Sequence, residues 1–366
     1  MSRPPQSRRW SRLAVAVSVA SLAAVAGGVA GCGAGSSGSP SAQTIPRVND
    51  KTVAATTSLP GATATGATTN DGTTGTATTQ PVLPGTGKPT VLLGDMNTPE
   101  QFVLGQLYRL ALRTQGYSVS LTRNIGPTSI SVEAMRQGSL DIYPEYLNVW
   151  DMSVAGVGQP PGSLQRAFTA GQAYASSQKM TLLPPTPFSD TSGVAVLSSY
   201  AQHNQLRTLF GLDRVAWSLT FGGPLEFTQV AGGLPAVERA YGFVPMATRD
   251  VAIGAQYAEL RSGAIQAAYV STSDWQLSEP TFRVLADPAH VFGYGNVVPV
   301  VSDAALAAEG PQFAASIEQV DALLTQDAIR GLNAEVQLQH DDPESVARQF
   351  LQGNGILPPP VYSTTT

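Results

Sequence analysis

AMRQGSLDIYPEY, residues 134–146, and ELRSGAIQAAYVS, residues 259–271, state one pattern twice. Each reads as the end of a helix, an arginine, one residue, a glycine, and a short apolar strand that leads into polar and aromatic residues. The glycines, Gly138 and Gly263, are 125 positions apart. LRTQGYSV around Gly116 and ERAYGFVP around Gly242 form a second pair in the same order. A glycine after a helix takes the left-handed conformation that closes it, so each echo marks a helix-to-strand junction. Two echoes in one order predict two similar α/β lobes.

The first copy continues as SLDIYPEYLNVWD, residues 139–151, and the pattern predicts a strand over Leu140 to Tyr143 that runs into Pro144, Glu145, Tyr146 and Trp150. In an open parallel sheet, ligands bind beyond the carboxyl ends of the strands. Two lobes face to face would set both groups of strand ends along one cleft. Tyr146 and Trp150 would stand on one wall, and Ser271, Thr272 and Trp275 on the other. The alternative is that Tyr143, Tyr146 and Trp150 only cover a hydrophobic edge.

Towards the N-terminus, Thr90 to Gly94 reads as a buried strand. Asn97, Thr98, Pro99 and Glu100 then open a helix with a cap, a proline at the first position and an acid in the first turn. Val103, Leu107, Leu110 and Ala111 recur at helical spacing, Gly116 stops the helix, and Tyr117, Val119 and Leu121 alternate as a strand. Strand, helix, strand, helix, strand is the grammar of a parallel sheet with covering helices. Asn97 and Thr98 carry two readings: a plain cap, or a helix start whose free N–H groups hold a polar or anionic ligand group.

The 366 residues leave room for one large or two ordinary domains, and 42% hydrophobic content suffices for a core. A net charge of −5 with no basic stripe gives no reason to expect a nucleic-acid partner. One cysteine excludes an internal disulfide, and with only three histidines a zinc cluster is not expected. His340-Asp341-Asp342 is better read as a helix start, because Pro343 and Glu344 follow. His203 and His290 have no neighbouring ligands, and no nucleophile stands beside a base. No metal, cofactor or catalytic residue is expected.

The single cysteine closes a recognisable segment. Arg3, Arg8, Arg9 and Arg12 precede an apolar run from Leu13 to Ala30, which ends Val29-Ala30-Gly31-Cys32. This resembles a bacterial lipoprotein signal over residues 1–31, with Cys32 lipidated and the protein held outside the cytoplasm. An ordinary secretory signal or an N-terminal membrane anchor is the alternative, and Arg8-Arg9 hints at twin-arginine export. Residues 32–88 are Ser, Thr, Gly, Ala and Pro with few bulky apolar side chains. Such a segment buries too little surface to offset its ordering entropy and is expected to be a disordered tether.

From residue 89 to about 357 the sequence resembles the substrate-binding proteins of ABC importers for glycine betaine, choline and related osmoprotectants. The resemblance rests on GDMNTPEQ from Gly94, LGQLYRLALRTQGY, GSLDIYPEY, FGGPLEF through GGLPAVERAYGF, AYVSTSDWQL, and DDPESVARQFLQGNGIL. It implies a two-lobed α/β clamp of the periplasmic-binding-protein kind with two crossover strands, lobe I from residues 89–190 and 294–366, and lobe II from 191–293. It also implies a monomer that delivers a small ligand to an ABC permease and its ATPase. The family holds a quaternary ammonium in a box of tyrosines. Tyr146 matches one wall, but the other box positions fall on Ser192 and Ser271, and the last is displaced to Tyr294, with Gly295 in its place. The hydroxyl after PEY is Val149, and the positions of the basic residues fall on Met96 and Val230. Tyr269, Trp275 or Tyr294 could supply replacement rings. A cleft so altered is expected to favour a more polar ligand, or one whose positive charge Glu145 or Asp190 balances. A clamp that has lost its ligand and acts as a surface sensor is a further alternative.

Overall fold

The computed structural model describes residues 82–158 and 160–359. Cys32 and the segments read as signal and as most of the tether lie outside these residues. The described chain begins with residues read as the tether's end, and these sit against the first lobe. The Gly85 N–H donates to the Gln115 carbonyl at 2.8 Å, and Lys88 Nζ to the Ala308 carbonyl at 2.8 Å.

The first lobe opens with β1 (Thr90–Gly94), α1 (Pro99–Thr114), β2 (Ser118–Thr122), α2 (Thr128–Arg136) and β3 (Ile142–Tyr146). It continues through α3 (Leu147–Ser153), α4 (Leu164–Ser177) and β4 (Met180–Leu182). The chain then crosses to the second lobe: β5 (Ser192–Leu197), α5 (Ser198–His203), a 3₁₀ helix (Leu209–Ser218), β6 (Thr220–Gly223), α6 (Leu225–Thr228), α7 (Leu234–Tyr241) and β7 (Ala247–Asp250). There follow α8 (Gln256–Ser262), β8 (Ala267–Ser271), a 3₁₀ helix (Trp275–Ser278) and β9 (Phe282–Val284). The return adds β10 (Val297–Ser302), α9 (Asp303–Glu309), α10 (Pro311–Asp321), α11 (Gln326–Gln337) and α12 (Pro343–Gly353), the last capped by Asp342.

Two five-stranded sheets result, β2-β1-β3-β10-β4 and β7-β6-β8-β5-β9. In each, three parallel strands adjoin an antiparallel one that arrives from the other lobe's side of the chain. Gly116 and Gly242, and Gly138 and Gly263, occupy matching junctions, and all four have positive φ of 67 to 84°. An L side chain there would strain the backbone, so the echoed glycines mark the same bends in both lobes.

The strand expected over Leu140 to Tyr143 is instead Ile142–Tyr146 and includes a proline. Pro144 lies opposite Pro299 of β10. In an antiparallel pair, alternate residue pairs point their N–H groups away from the partner strand, so facing prolines leave the β3–β10 ladder whole. Alternation along β3 then divides the core of lobe I. Ile142 joins Leu93, Leu104 and Phe313 on the side of α1, α10, α11 and α12, while Tyr143 joins Trp150 and Val300 on the side of α2, α3 and α4. Tyr143 and Trp150 are fully buried, and the Trp150 Nε1 donates to the Gly171 carbonyl at 3.1 Å. These two aromatics are core. Tyr146 is only half-buried.

Candidate ligand site between the two sheets

Both crossing segments run side by side at the base of the clamp. Ser189 bridges Asn296, and the Asp190 N–H donates to the Gly295 carbonyl at 2.9 Å. A Cβ on Gly295 would stand 1.9 Å from the Asp190 carbonyl oxygen, so the close approach of the two strands requires glycine there. The Asn296 amide pins the return strand by donating to the Thr186 and Phe188 carbonyls at 2.9 and 3.1 Å.

At the end of β3 the Tyr146 hydroxyl donates to Glu100 Oε1 at 2.7 Å. Asn333 of α11 donates its Nδ2 to Glu100 Oε2 at 2.8 Å and to the Ser273 carbonyl of the second lobe at 3.0 Å. One carboxylate thus ties the start of α1, the end of β3 and the middle of α11 to the loop after β8. In the second lobe the Ser271 hydroxyl donates to Asp190 Oδ1 and lies 3.2 Å from the Ser273 hydroxyl. Asp274 accepts from the Tyr257 hydroxyl at 2.7 Å and from the Ser271 N–H at 3.1 Å. The Thr272 carbonyl accepts from Gln326 and from two nitrogens of Arg330, at 2.8 to 3.0 Å. The Thr272 hydroxyl accepts from the Thr191 N–H and donates to the Ser189 carbonyl.

The electrostatics are one-sided. Glu100 is 4% exposed, and its pKa is pushed up to about 7 by burial first and then by the nearby charge of Asp190; the donors Asn333 and Tyr146 oppose the shift. Burial likewise raises Asp190 and Asp274. Burial lowers the Arg330 pKa, while Asp327, Tyr257 and Asp274 favour its charged form. Among the described residues no salt bridge reaches Glu100, Asp190 or Asp274.

The residues singled out in the sequence divide accordingly. Tyr146, Asp190, Ser271 and Thr272 meet at the base of the clamp. Ser192 pairs with Ser271 across β5 and β8 and lies beside the Tyr269 hydroxyl. Trp275 opens the 3₁₀ helix that packs on α11. The others lie apart. Asn97 and Thr98 are exposed, and Thr98 Oγ1 accepts from the Gln101 N–H at 3.2 Å as the helix cap. Glu145 is wholly buried on the face of β3 opposite Tyr146, where it accepts from the Tyr143 hydroxyl at 3.3 Å and sits beside Thr128. Tyr294 packs 4.8 Å from His290 and against the α2–α3–α4 side of lobe I, its hydroxyl buried without a partner.

Sequence reading missed Glu100 as a cleft residue, together with Ser273, Asp274, Arg330 and Asn333. For α11 a signal exists: Gln326, Arg330 and Asn333 recur at four- and three-residue spacing, a polar stripe beside the apolar one of Ile329, Leu332 and Val336.

Residues 89–353 match the family described as the substrate binding domain of the ABC-type glycine betaine transport system. The chain is 27% identical over 277 residues to the glycine betaine-binding protein YehZ of Escherichia coli K12, across 72% of this chain and 90% of that protein. It is 26% identical over 281 residues to a glycine-betaine-binding protein of Pseudomonas aeruginosa, across 73% and 89%. The crystal structure of a glycine betaine/carnitine/choline ABC transporter protein superposes with a TM-score of 0.68 at 21% identity, over 73% of this chain and 99% of that one, and shares the fold. These relatives are substrate-binding transport proteins. With the family matched over nearly the whole described region, this chain belongs to the substrate-binding domains of ABC-type glycine betaine transport systems.

Proposed function

We propose that the chain is the extracytoplasmic solute-binding component of an ABC importer. It holds a small osmoprotectant of the glycine betaine and choline class, or a polar or cationic relative, between its lobes and delivers it to a permease coupled to an ATPase. The observation that carries this reading is the polar cluster of Tyr146, Glu100, Asn333 and Ser273. It sits at the carboxyl ends of the parallel strands and joins both lobes, where a clamp must sense its ligand. Tyr146, Asp190, Ser192, Ser271, Thr272 and Trp275 line the walls in this proposal. Asn97 and Thr98 stand at the rim, with Glu145 and Tyr294 in support. These residues bind rather than react.

The N-terminal reading remains part of the proposal: residues 1–31 direct export, lipidated Cys32 anchors a monomer to the membrane, and a tether leads to lobe I. Replacing Cys32 with serine is expected to release the protein from the membrane fraction; retention there would overturn the anchor.

The test of the main reading is thermal unfolding of the full chain with glycine betaine, choline, carnitine, proline betaine, ectoine, amino acids, sugars and small amines. A ligand at 100 times its Kd adds about 2.7 kcal/mol of stability. At least one compound should raise Tm by several degrees, and a flat response across the panel would overturn the solute-binding role.

A further inference from the structure

We infer that the cleft takes a small organic cation that donates N–H hydrogen bonds, an ammonium or a guanidinium without a carboxylate, held between Glu100 and Asp190. This rests on the solute-binding reading above and narrows its ligand.

The first observation is the pair of carboxylates. Glu100 from α1 and Asp190 from the outgoing crossing strand feel each other's charge, and both are met by neutral donors: Tyr146 and Asn333 on one, Ser271 on the other, and Ser273 beside both. Buried carboxylates ordinarily face a cation, and no side chain among the described residues supplies one to either. The second is a set of buried amides with unmet capacity at the same place. Gln101 is 0% exposed, and its amide, beside the Tyr146 hydroxyl, makes no hydrogen bond of good geometry. Asn333 is 1% exposed, and its Oδ1 accepts nothing while its Nδ2 holds Glu100. Buried amide groups without partners are costly, and a hydrogen-bonding ligand that meets them recovers that cost.

The same geometry argues against the two neighbouring ligand types. A carboxylate entering the cleft would face Glu100, Asp190 and Asp274. The nearest cation, Arg330, already gives two nitrogens to the Thr272 carbonyl. Like charges at such range disfavour binding. A quaternary ammonium cannot donate a hydrogen bond and depends on open aromatic faces. Tyr269 packs 4.7 Å from Phe227, and Tyr257 packs 4.9 Å from Phe282 while its hydroxyl serves Asp274. Tyr146 has its hydroxyl on Glu100, which leaves Trp275, at the start of the 3₁₀ helix after β8, as the other ring beside the cleft; two rings fall short of a closed aromatic box. An N–H cation, in contrast, forms charge-assisted bonds with both carboxylates at once.

The test is titration calorimetry on the full chain at low salt with four probes: ethanolamine, choline, agmatine and glycine betaine. Ethanolamine and choline share a skeleton and differ in N–H against N-methyl. Choline and glycine betaine differ in hydroxyl against carboxylate. Ethanolamine or agmatine should bind at least tenfold more tightly than choline or glycine betaine. Asp190→Asn should weaken that binding tenfold or more while the unfolding transition is kept, since an asparagine Oδ1 still accepts from Ser271. Glu100→Gln should do the same, because Asn333 can turn its free Oδ1 towards the new amide. Tighter binding of choline or glycine betaine would overturn this inference and leave the solute-binding role standing. Binding of ethanolamine or agmatine that neither variant weakens would also overturn it. Silence from all four probes would overturn it too, and the wider thermal panel would then decide the role separately.

Discussion

Lobe I and lobe II are built on one plan and furnished differently. β2-β1-β3-β10-β4 corresponds strand for strand to β7-β6-β8-β5-β9, with the same parallel and antiparallel neighbours. Tyr146 and Ser271 close equivalent strands, yet one presents a ring tied to Glu100 and the other a hydroxyl tied to Asp190. The surfaces differ too. Phe210, Trp217, Leu225, Val230, Val244, Met246 and Ile253 are exposed on lobe II, against Ile130, Met152 and Leu338 on lobe I and Val82 and Leu83 on the segment that precedes it. The plan is held by backbone conformations that glycine adopts at little cost, while the chemistry is set by the side chains at the end of each strand. The two can therefore vary independently.

Four experiments probe this contrast between the lobes. The largest effect should come from emptying each core. Trp150→Ala in lobe I and Phe221→Ala in lobe II remove wholly buried rings, each at a cost of about 3–5 kcal/mol. If the lobes unfold as one unit, calorimetry will show a single transition lowered by either change; two transitions moved separately would make them independent bodies.

Next is pH. Glu100 and Glu145 are pushed up to about 7 and Asp321 to about 8, mainly by burial, and all three belong to lobe I. The folded state binds protons that the unfolded chain has released, so this contribution is complete below the ordinary carboxylate range and is lost as pH rises through 7 to 8. Each pKa unit is worth about 1.4 kcal/mol, so the three shifts together should lower stability by several kcal/mol between pH 5 and pH 8. A denaturant titration at the two values checks it, and a flat profile would mean that these carboxyls are solvated.

Gly295→Ala is expected to cost about 1–3 kcal/mol, because its Cβ would collide with the Asp190 carbonyl and force the crossing strands apart. Equilibrium unfolding measures this, and an unchanged midpoint would show that the strands separate freely. The smallest effects concern the echoed glycines. A Cβ at Gly138 or Gly263 meets nothing within 4 Å, so alanine at either should cost only the left-handed strain, about 1–2 kcal/mol and alike in both lobes. Gly116→Ala should exceed Gly242→Ala, since only at Gly116 does the Cβ meet a neighbour, Leu83 at 2.8 Å. Equal costs at that second pair would deny that residues 83–88 are firmly seated.

The duplicated plan was legible because glycines and strand patterns are local signals. The end of β3 was not, because Pro144 reads as a stop unless Pro299, far along the chain, is known to face it. That misplacement had a consequence for the site. With the strand ended at Tyr143, Glu145 and Tyr146 could share a cleft. With the strand running to Tyr146, adjacent side chains point to opposite faces, and Glu145 goes into the core. Glu100 reads from sequence as an acid favoured by the helix dipole. Its role as the junction between lobes comes from the packing of α1 under the end of β3 and beside α11, which no local pattern encodes. Thr98 forms the cap that one of its two sequence readings gives.

The chain leaves lobe I at Asp190 and comes back at Gly295, within a single hydrogen bond of its point of departure. Topologically, the second lobe is a cassette spliced into a continuous host. Joining Ser189 to Asn296 with a tight turn would excise the cassette and leave every strand of the host sheet paired as before. The same cut sites would let a relative's second lobe be grafted in, so that half of the ligand's surroundings could be exchanged while the other half stays in place.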